Sequence, residues 1–246
     1  LQRDILLERV RYNDKAPWPT EADAAGPALE RFQLGSYGNE PLNWRSAGIA
    51  GSPGRAGAFT GGIGIAREST WDYKVTASSL GTSWQGGSYN ATSWPSGRGA
   101  SGYGESFLNT VVPSGPDPLN RYPTTYYRKA FVVNDNPADL SALALGLLYD
   151  DGIVVYLNGV EVLRRSLPGG AIGYPTLALD DREASGYETV DLLPFKNCLV
   201  QGTNILAVEV HQFALSSVDL VWDAELLYAT ATSGNDDDDD GMTNAW

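Results

Sequence analysis

The clearest alternation of hydrophobic and polar segments lies between residues 142 and 163, where apolar runs are separated by two short polar breaks. Residues 142–149 (ALALGLLY) are apolar without helix-capping residues, and residues 153–157 (IVVYL) are β-branched and aromatic. Such runs favour strands, and Asn158-Gly159 favours a hairpin turn because both turn positions need a positive φ. The pattern predicts two or three consecutive strands joined by tight turns, with the core sheet built around the Asn158-Gly159 hairpin.

Shorter versions of this pattern recur along the rest of the chain. Apolar residues alternate with polar ones, or form β-rich runs, at 5–12, 29–34, 71–75, 122–133, 140–148, 187–192, 205–211 and 219–227. The segments after residue 68 predict eight or more antiparallel strands, for which a two-sheet jelly roll is the economical arrangement. We therefore predict an all-β fold with a jelly-roll β-sandwich over residues 68–229.

Composition narrows the classes of function. The 246 residues include 28 Gly, 14 Pro, 7 Trp and 13 Tyr, which suits many short strands joined by turns. The formal net charge of -13 argues against nucleic acid and against an anionic membrane surface as partners, since both attract basic patches. No apolar run approaches the roughly 18 residues of a membrane span, so we predict no membrane insertion. The single cysteine, Cys198, has no intrachain disulfide partner and is expected to be a small buried residue.

The first 56 residues carry a family resemblance. The run RVRYNDKAPWPTEADAAGPALERFQL at 9–34, followed by NWRSAGIAGSPG at 43–54, resembles the C-terminal half of a bacterial lamin-tail domain. The resemblance implies a partial immunoglobulin-like segment at 1–56, of a kind that often decorates extracellular proteins. Because the early strands of that family are missing, we expect either a truncated fragment or a neighbouring chain or domain that covers the exposed strand edges. Residues 57–67 are Gly-rich and predict a linker or a small edge strand.

Residues 68–229 carry a second resemblance. The runs TTYYRKAFVV at 124–133, LGLLYDDGIVVYLNGVEVLRR at 145–165 and GTNILAVEVHQ at 202–212 resemble the galactose-binding-like β-sandwich modules of secreted bacterial proteins. Such modules bind varied sugars, and some accompany metallophosphatases. The resemblance implies an extracellular or cell-surface location in a bacterium, but it specifies no ligand.

The tail at 230–246 contains a candidate calcium site. Asp236, Asp238 and Asp240 alternate before a glycine, and Asn244 follows, which matches the D-x-D-x-D-G-x-x-N pattern of calcium loops. The tail resembles the start of a thrombospondin type 3-like calcium repeat. The bidentate acid of that pattern would fall one position after Trp246, so we expect weak Ca²⁺ binding here. The alternative is a solvated acidic tail.

A second candidate ligand site is the turn of Asp150 and Asp151 before Gly152. A similar Asp-Asp-Gly turn holds calcium and sugar in some PA14-type adhesin modules. The alternative is a plain turn, because aspartate side chains cap turns and glycine supplies a positive φ. The residues alone favour the plain turn.

Four aromatic residues between positions 80 and 105 are candidates for sugar binding: Trp84, Tyr89, Trp94 and Tyr103. Flat aromatic faces stack on the C–H-rich faces of sugar rings, and polar neighbours fix the orientation of the sugar. The alternative is core packing, because seven tryptophans need burial somewhere. This alternative is favoured for each residue taken singly.

Catalysis has little support in the sequence. His211 is the only histidine, and although Ser216, Ser217 and Asp219 lie nearby, there is no nucleophile-elbow pattern. The alternation of residues 205–211 instead favours a hydrogen-bonded strand histidine. One histidine and one cysteine do not supply a usual zinc ligand set.

These observations favour a non-catalytic accessory module for carbohydrate binding or adhesion, with glycans as partners, within a larger surface protein. The alternative is a structural subunit of an extracellular assembly or filament. In that case self-association or a neighbouring chain would complete the N-terminal sheet by strand addition. An enzyme, such as the remnant of a phosphatase or hydrolase, ranks last.

Overall fold

The computed structural model describes residues 29–31, 44–46 and 59–231. The chain forms two compact units, one of Leu1–Gly62 with Ala229–Trp246 and the other of Ile63–Tyr228. In the first unit, strand β1 (Leu29–Arg31) pairs antiparallel with β2 (Trp44–Ser46). The strand predicted at 29–34 is therefore observed over its first three residues. The one predicted at 5–12 lies outside the described residues.

Twelve further strands follow in the described part of the chain. They are β3 (Phe59–Ile65), β4 (Thr70–Val75), β5 (Ser96–Arg98), β6 (Ser101–Tyr103), β7 (Thr110–Val111), β8 (Thr124–Val133), β9 (Leu140–Asp150), β10 (Gly152–Leu157), β11 (Val160–Arg165), β12 (Glu188–Asp191), β13 (Gly202–His211) and β14 (Leu220–Ala231). Three short 3-10 turns, Ser83–Gln85, Pro137–Asp139 and Leu193–Cys198, are the helical segments among these residues. None of them has the length and hydropathy needed to span a membrane.

The strands form two sheets of six. The first sheet has the order β11-β10-β13-β8-β4-β5, and the second has the order β12-β9-β14-β6-β7, with β3 also paired to β14. The strand pairs with a described register are antiparallel, except for the parallel pair of β6 and β7. The all-β sandwich predicted from the sequence is confirmed. The Gly-rich segment 57–67, for which we expected a linker or an edge strand, contains β3.

The main core lies between the two sheets. Successive side chains of a strand point to opposite faces, so every second residue of β8, β10 and β13 enters this core. Residues from both sheets form one apolar cluster that includes Tyr127, Val155, Val208, Leu145, Leu147 and Trp222, each 0% exposed. The rings of Trp71 and Trp222 meet edge to face with their centroids 5.3 Å apart. A one-residue slip of register would turn these side chains away from the core, so their burial fixes the register.

The outer face of the first sheet is covered as well. Tyr126, Val154 and Ala207, which alternate with the core residues of their strands, are buried in a second cluster with Trp84 and Trp94. The ring centroids of Trp84 and Tyr126 are 4.9 Å apart. Because both faces are covered, all six residues of β10 are buried. This agrees with the unbroken apolar sequence of that strand, which is typical of strands buried on both sides.

The hairpin at Asn158-Gly159 is confirmed, but its position in the sheet differs from our expectation. Leu157 pairs with Val160, and φ is 51° at Asn158 and 89° at Gly159. The hairpin strand β11 is an edge strand, whereas the centre of the sheet is the ten-residue pairing of β13 with β8. The expectation of a core sheet built around the hairpin was wrong, because the two long strands together bury more side chains than the hairpin does.

The segment at 150–152 also differs from a simple hairpin turn. The strand before it, β9, belongs to the second sheet, and the strand after it, β10, belongs to the first. The chain therefore passes from one layer of the sandwich to the other at Asp151. This crossing places two aspartates at the rim of the core.

Candidate functional site

Asp151 is buried at this crossing and is fully engaged. It is 1% exposed, and its Oδ1 accepts a hydrogen bond from the backbone N–H of Arg182 at 2.9 Å. Its Oδ2 accepts from the backbone N–H of Phe213 at 2.7 Å. Charge-assisted hydrogen bonds of this kind are stronger than neutral ones. Asp151 therefore ties two distant loops to the end of β9.

Three further carboxylates converge beside this point. Oxygen atoms of Glu105, Glu183 and Asp219 all lie within 4.8 Å of one another, although the residues come from three separate loops. Gly104 has a φ of 90°, and a Cβ at this position would lie 2.6 Å from the Cα of Asp219. Glycine is needed there because the chain passes so close to Asp219. The close approach brings Glu105 to the other two acids.

Asp150 and Gln212 are buried next to these acids. Asp150 is 2% exposed and Gln212 is 0% exposed. Oδ1 of Asp150 and Oε1 of Gln212 have no hydrogen-bond partner among residues 59–231. The Gln212 side-chain amide donates to the backbone carbonyl of Asp219 at 3.0 Å and to the Tyr103 hydroxyl at 2.8 Å. Two buried oxygens are therefore left unsatisfied at this end of the sandwich.

The electrostatics of the acids reflect their crowding. Burial, followed by the negative charges of Asp151 and Asp219, holds the pKa of Asp150 well above its ordinary value. Burial also raises the pKa of Asp151, against the lowering effect of its two backbone donors. The charge of Asp219 is the main cause of a raised pKa at Glu183. A positive charge nearby would therefore stabilise the ionised form of these acids.

A cleft of about 370 Å³ borders the loop that connects β13 to β14. Leu215 of this loop lines the cleft, and the backbone of Arg121 donates to the Leu215 carbonyl at 2.8 Å. The walls combine flat apolar rings with polar side chains. They include Pro116, Pro123, Pro175, Tyr122 and Tyr174, together with Asp117, Asn120 and Arg121.

Two hydrogen bonds hold the tyrosine wall of the cleft in place. The Tyr174 hydroxyl donates to the backbone carbonyl of Thr76 at 2.8 Å, and the Thr124 hydroxyl donates to the Tyr174 carbonyl at 2.6 Å. Tyr122 and Tyr174 are both half-buried, so part of each ring remains accessible. The two hydrogen bonds therefore fix the position of Tyr174, and both tyrosines line the cleft.

The aromatic residues predicted to bind sugar have different environments. Trp84 and Trp94 are 0% and 6% exposed and pack over the outer face of the first sheet, so protein covers their ring faces. Tyr103 is 7% exposed and belongs to the main core. Tyr89 is half-buried, with the Arg128 guanidinium 5.3 Å from its ring centroid. Core packing, the alternative that the sequence left open, describes Trp84, Trp94 and Tyr103 in this structure.

His211 is a hydrogen-bonded strand residue, as its alternation predicted. Its Nδ1 lies 2.8 Å from the carbonyl oxygen of Thr176, and the Thr124 hydroxyl lies 3.0 Å away. Its Nε2 lies 3.5 Å from a carboxylate oxygen of Glu209. Ser217 instead bonds Asp219 at 3.2 Å. The contacts of His211 within residues 59–231 therefore include no serine nucleophile.

Other predicted features lie outside the described residues. These are the calcium-loop residues Asp236, Asp238, Asp240 and Asn244, and most of the lamin-tail-like segment. Conversely, neither the cleft nor Glu105, Glu183 and Gln212 as site residues was predicted from the sequence. These residues lie in loops without periodicity, and no spacing pattern connects them. The one available signal was the paired aspartates next to a strand buried on both faces.

No protein-family model matches the chain, and no curated protein sequence matches it. Among solved structures, the chain is similar to a β-glucuronidase of Bacteroides uniformis, with 13% identity, a TM-score of 0.43, and coverage of 69% of this chain and 18% of that chain. A β-glucuronidase from an uncultured Clostridium species has 14% identity, a TM-score of 0.40, and coverage of 70% and 29%. A glycosyl hydrolase family 2 member from Bacteroides cellulosilyticus has 12% identity, a TM-score of 0.43, and coverage of 69% and 20%.

The chain spans less than a third of the length of each of these proteins. Similarity at this level supports no conclusion about activity. The class of protein that the fold defines is an all-β sandwich module.

Proposed function

We propose that this chain is a non-catalytic module that binds carbohydrate, and that the cleft of Tyr122 and Tyr174 is the binding site. The observation that carries the proposal is the composition of the cleft. Two tyrosine rings and three proline rings provide flat apolar faces, and Asp117, Asn120 and Arg121 provide hydrogen-bonding groups. A sugar presents the same combination of C–H faces and hydroxyl groups.

The size and rigidity of the cleft support the same proposal. A volume of about 370 Å³ lies at the lower end of the roughly 300–1,000 Å³ usual for small-molecule sites and suits one or two sugar rings. Asp117 is held by its own turn, since its Oδ1 accepts from the backbone N–H of Leu119 at 2.9 Å. Arg121 is held by bonds from its Nη1 to the carbonyls of Pro118 and Ser216. Polar groups fixed in this way lose little entropy when a ligand binds.

An extracellular location and a role in adhesion, as part of a larger bacterial surface protein, belong to the same proposal. The non-catalytic role is supported by the contacts of His211, which are those of a structural residue. No observation on the described residues favours the alternative of a filament subunit, which concerned the N-terminal sheet.

A glycan array followed by calorimetric titration tests the proposal. The intact chain should bind at least one glycan class, and Tyr122→Ala should weaken that binding about tenfold, because stacking on one aromatic ring contributes about 1.5 kcal/mol. Asn120→Ala should weaken it as well. The matched control is Phe107→Ala, which removes an aromatic ring that is 49% exposed and does not line the cleft.

Two results would contradict the proposal. One is the absence of binding to every glycan, with or without calcium. The other is binding that Tyr122→Ala and Asn120→Ala leave unchanged. Turnover of aryl glycosides or phosphate esters by the purified chain would contradict the non-catalytic part.

A further inference from the structure

The acids at the end of β9 form a cluster that the proposed carbohydrate site does not use. Oxygens of Glu105, Glu183 and Asp219 lie within 4.8 Å of one another. Like charges at this spacing repel one another, which lowers the stability of the folded state unless something compensates the charge. Acidic clusters at protein surfaces are common, and this geometry alone would not indicate a ligand.

The second observation is the pair of buried oxygens without partners. Oδ1 of Asp150 and Oε1 of Gln212 are buried and make no hydrogen bond within the described part of the chain. Asp150 adjoins Asp151, whose oxygens accept from the backbone N–H groups of Arg182 and Phe213, the chain neighbours of Glu183 and Gln212, so Asp150 lies beside the loops that carry the cluster. Gln212 lies beside the cluster too, since its side-chain amide donates to the backbone carbonyl of Asp219 at 3.0 Å. A buried acceptor without a donor is costly to the fold unless a ligand satisfies it.

No arginine or lysine among residues 59–231 neutralises the acidic cluster. The Arg182 guanidinium donates to the Tyr149 carbonyl at 2.7 Å, lies 3.9 Å from the Tyr149 ring and reaches Glu188. Arg121 is held by the Pro118 and Ser216 carbonyls. Among residues 59–231, no arginine or lysine forms an ion pair with Asp150, Glu105, Glu183 or Asp219.

Asp151 differs from Asp150 in what its oxygens do. Both of them accept backbone N–H bonds, from Arg182 and Phe213. Through these bonds Asp151 positions the loop that carries Glu183 and the loop that carries Gln212 and Asp219. It therefore acts as a positioning residue, whereas Oδ1 of Asp150 has no partner in the part of the chain that the structure describes.

We propose that Asp150, Gln212, Asp219, Glu183 and Glu105 form a calcium site at the rim of the sandwich, with Asp151 holding the ligand loops in place. All the donors are hard oxygens, which excludes the nitrogen and sulfur ligands that zinc prefers. Three carboxylate oxygens within 4.8 Å of one another, the two buried oxygens beside them and water fit the six to eight flexible ligands of Ca²⁺ better than the strict octahedron of Mg²⁺.

The proposed site uses no residue that lines the carbohydrate cleft and none of the acidic tail. The test therefore uses no sugar, and it includes a variant in which Asp236, Asp238 and Asp240 are all replaced by Asn. The intact chain is stripped with a chelator, and its melting temperature and calorimetric binding are measured with CaCl₂ and with MgCl₂. A ligand that binds only the folded state raises the melting temperature, and we expect a rise of about 5 °C or more at saturating calcium.

Asp150→Asn gives the sharpest result, because it keeps the shape of the side chain and removes its charge. We expect this variant to melt at or above the wild-type temperature in chelator and to lose the calcium-dependent rise. Glu183→Gln, at an exposed position where misfolding is not a concern, should weaken calcium binding at least tenfold. The control is Asp139→Asn, an exposed acid elsewhere on the surface, which should leave the rise unchanged.

Each outcome decides the proposal. A calcium-dependent rise that persists in the triple tail variant and disappears in Asp150→Asn supports it. The proposal is overturned if the wild type shows no calcium-dependent rise in melting temperature. It is also overturned if Asp150→Asn and Glu183→Gln show the same rise as the wild type. An equal response to magnesium overturns the assignment to calcium.

Discussion

The two turns that flank β10 differ in how completely their polar side chains are hydrogen-bonded. At the end of the strand, Asn158 and Asn204 form a closed network. Asn158 Nδ2 donates to the Cys198 carbonyl at 2.8 Å and to Asn204 Oδ1 at 2.7 Å, and its own Oδ1 accepts from the backbone N–H of Ile205 at 2.8 Å. Asn204 Nδ2 donates to the carbonyls of Val200 and Gly202.

At the start of the strand, the polar groups are only partly satisfied. Asp151 is engaged by two backbone donors, but Asp150 has a buried oxygen without a partner in the described residues, and three more acids lie nearby. Both turns are polar interruptions of the same apolar run. The Asn158 turn is complete as a structural element, whereas the Asp150 turn leaves a buried acceptor that the proposed calcium site would use.

The largest expected effect is at the complete turn. Asn204→Ala should lower the free energy of unfolding by about 3 kcal/mol, because it leaves several buried partners without a hydrogen bond. Denaturant titration measures this loss, with Asn197→Ala at an exposed position as the control. A loss below about 1 kcal/mol would show that the network is less important to the fold than its geometry indicates.

An intermediate effect is expected at Asp151. Asp151→Ala should cost about 2 kcal/mol in chelator, because two charge-assisted hydrogen bonds are lost. Hydrogen exchange should also accelerate at the amides of Arg182 and Phe213, which measures the release of the two loops. If Asp151→Ala were no more destabilising than Asp150→Asn, the distinction between positioning residue and ligand would fail.

The smallest effect is expected at the hairpin glycine. Gly159→Ala places a side chain at a φ of 89°, which should cost about 1 kcal/mol from backbone strain alone, since the nearest atom to the added Cβ is at an ordinary distance. The control is Gly87→Ala, where a Cβ meets nothing within 4 Å. Thermal unfolding of the two variants measures the difference, and equal stability would argue against the turn type.

Much of the sandwich was predictable from local pattern. The strand expected at 122–133 is observed at Thr124–Val133, and the one expected at 205–211 at Gly202–His211. β-branched and aromatic runs with turn residues at their ends report on their own immediate surroundings, so a single sequence is enough to find them. The Asn158-Gly159 hairpin is predictable for the same reason.

The burial of Trp84 and Trp94 was not predictable in this way. A tryptophan in a Gly- and Ser-rich loop has the same sequence context whether it stacks on a ligand or covers a sheet. What decided between them is that Tyr126 and Val154 leave an apolar outer face on the first sheet, and the loop buries it. The unbroken apolar sequence of β10 was the available sign that this face needed a cover.

The sequence by itself determined the strands, the hairpin and the all-β class, because these depend on side-chain alternation and on the backbone preferences of neighbouring residues. Only the tertiary structure decided that β9 and β10 belong to different sheets, which aromatic rings line a cleft, and that Glu105, Glu183 and Asp219 meet beside Asp150. Contacts of this kind join residues far apart along the chain. They follow from how the two layers pack and where the loops are tied down, and no local pattern encodes them.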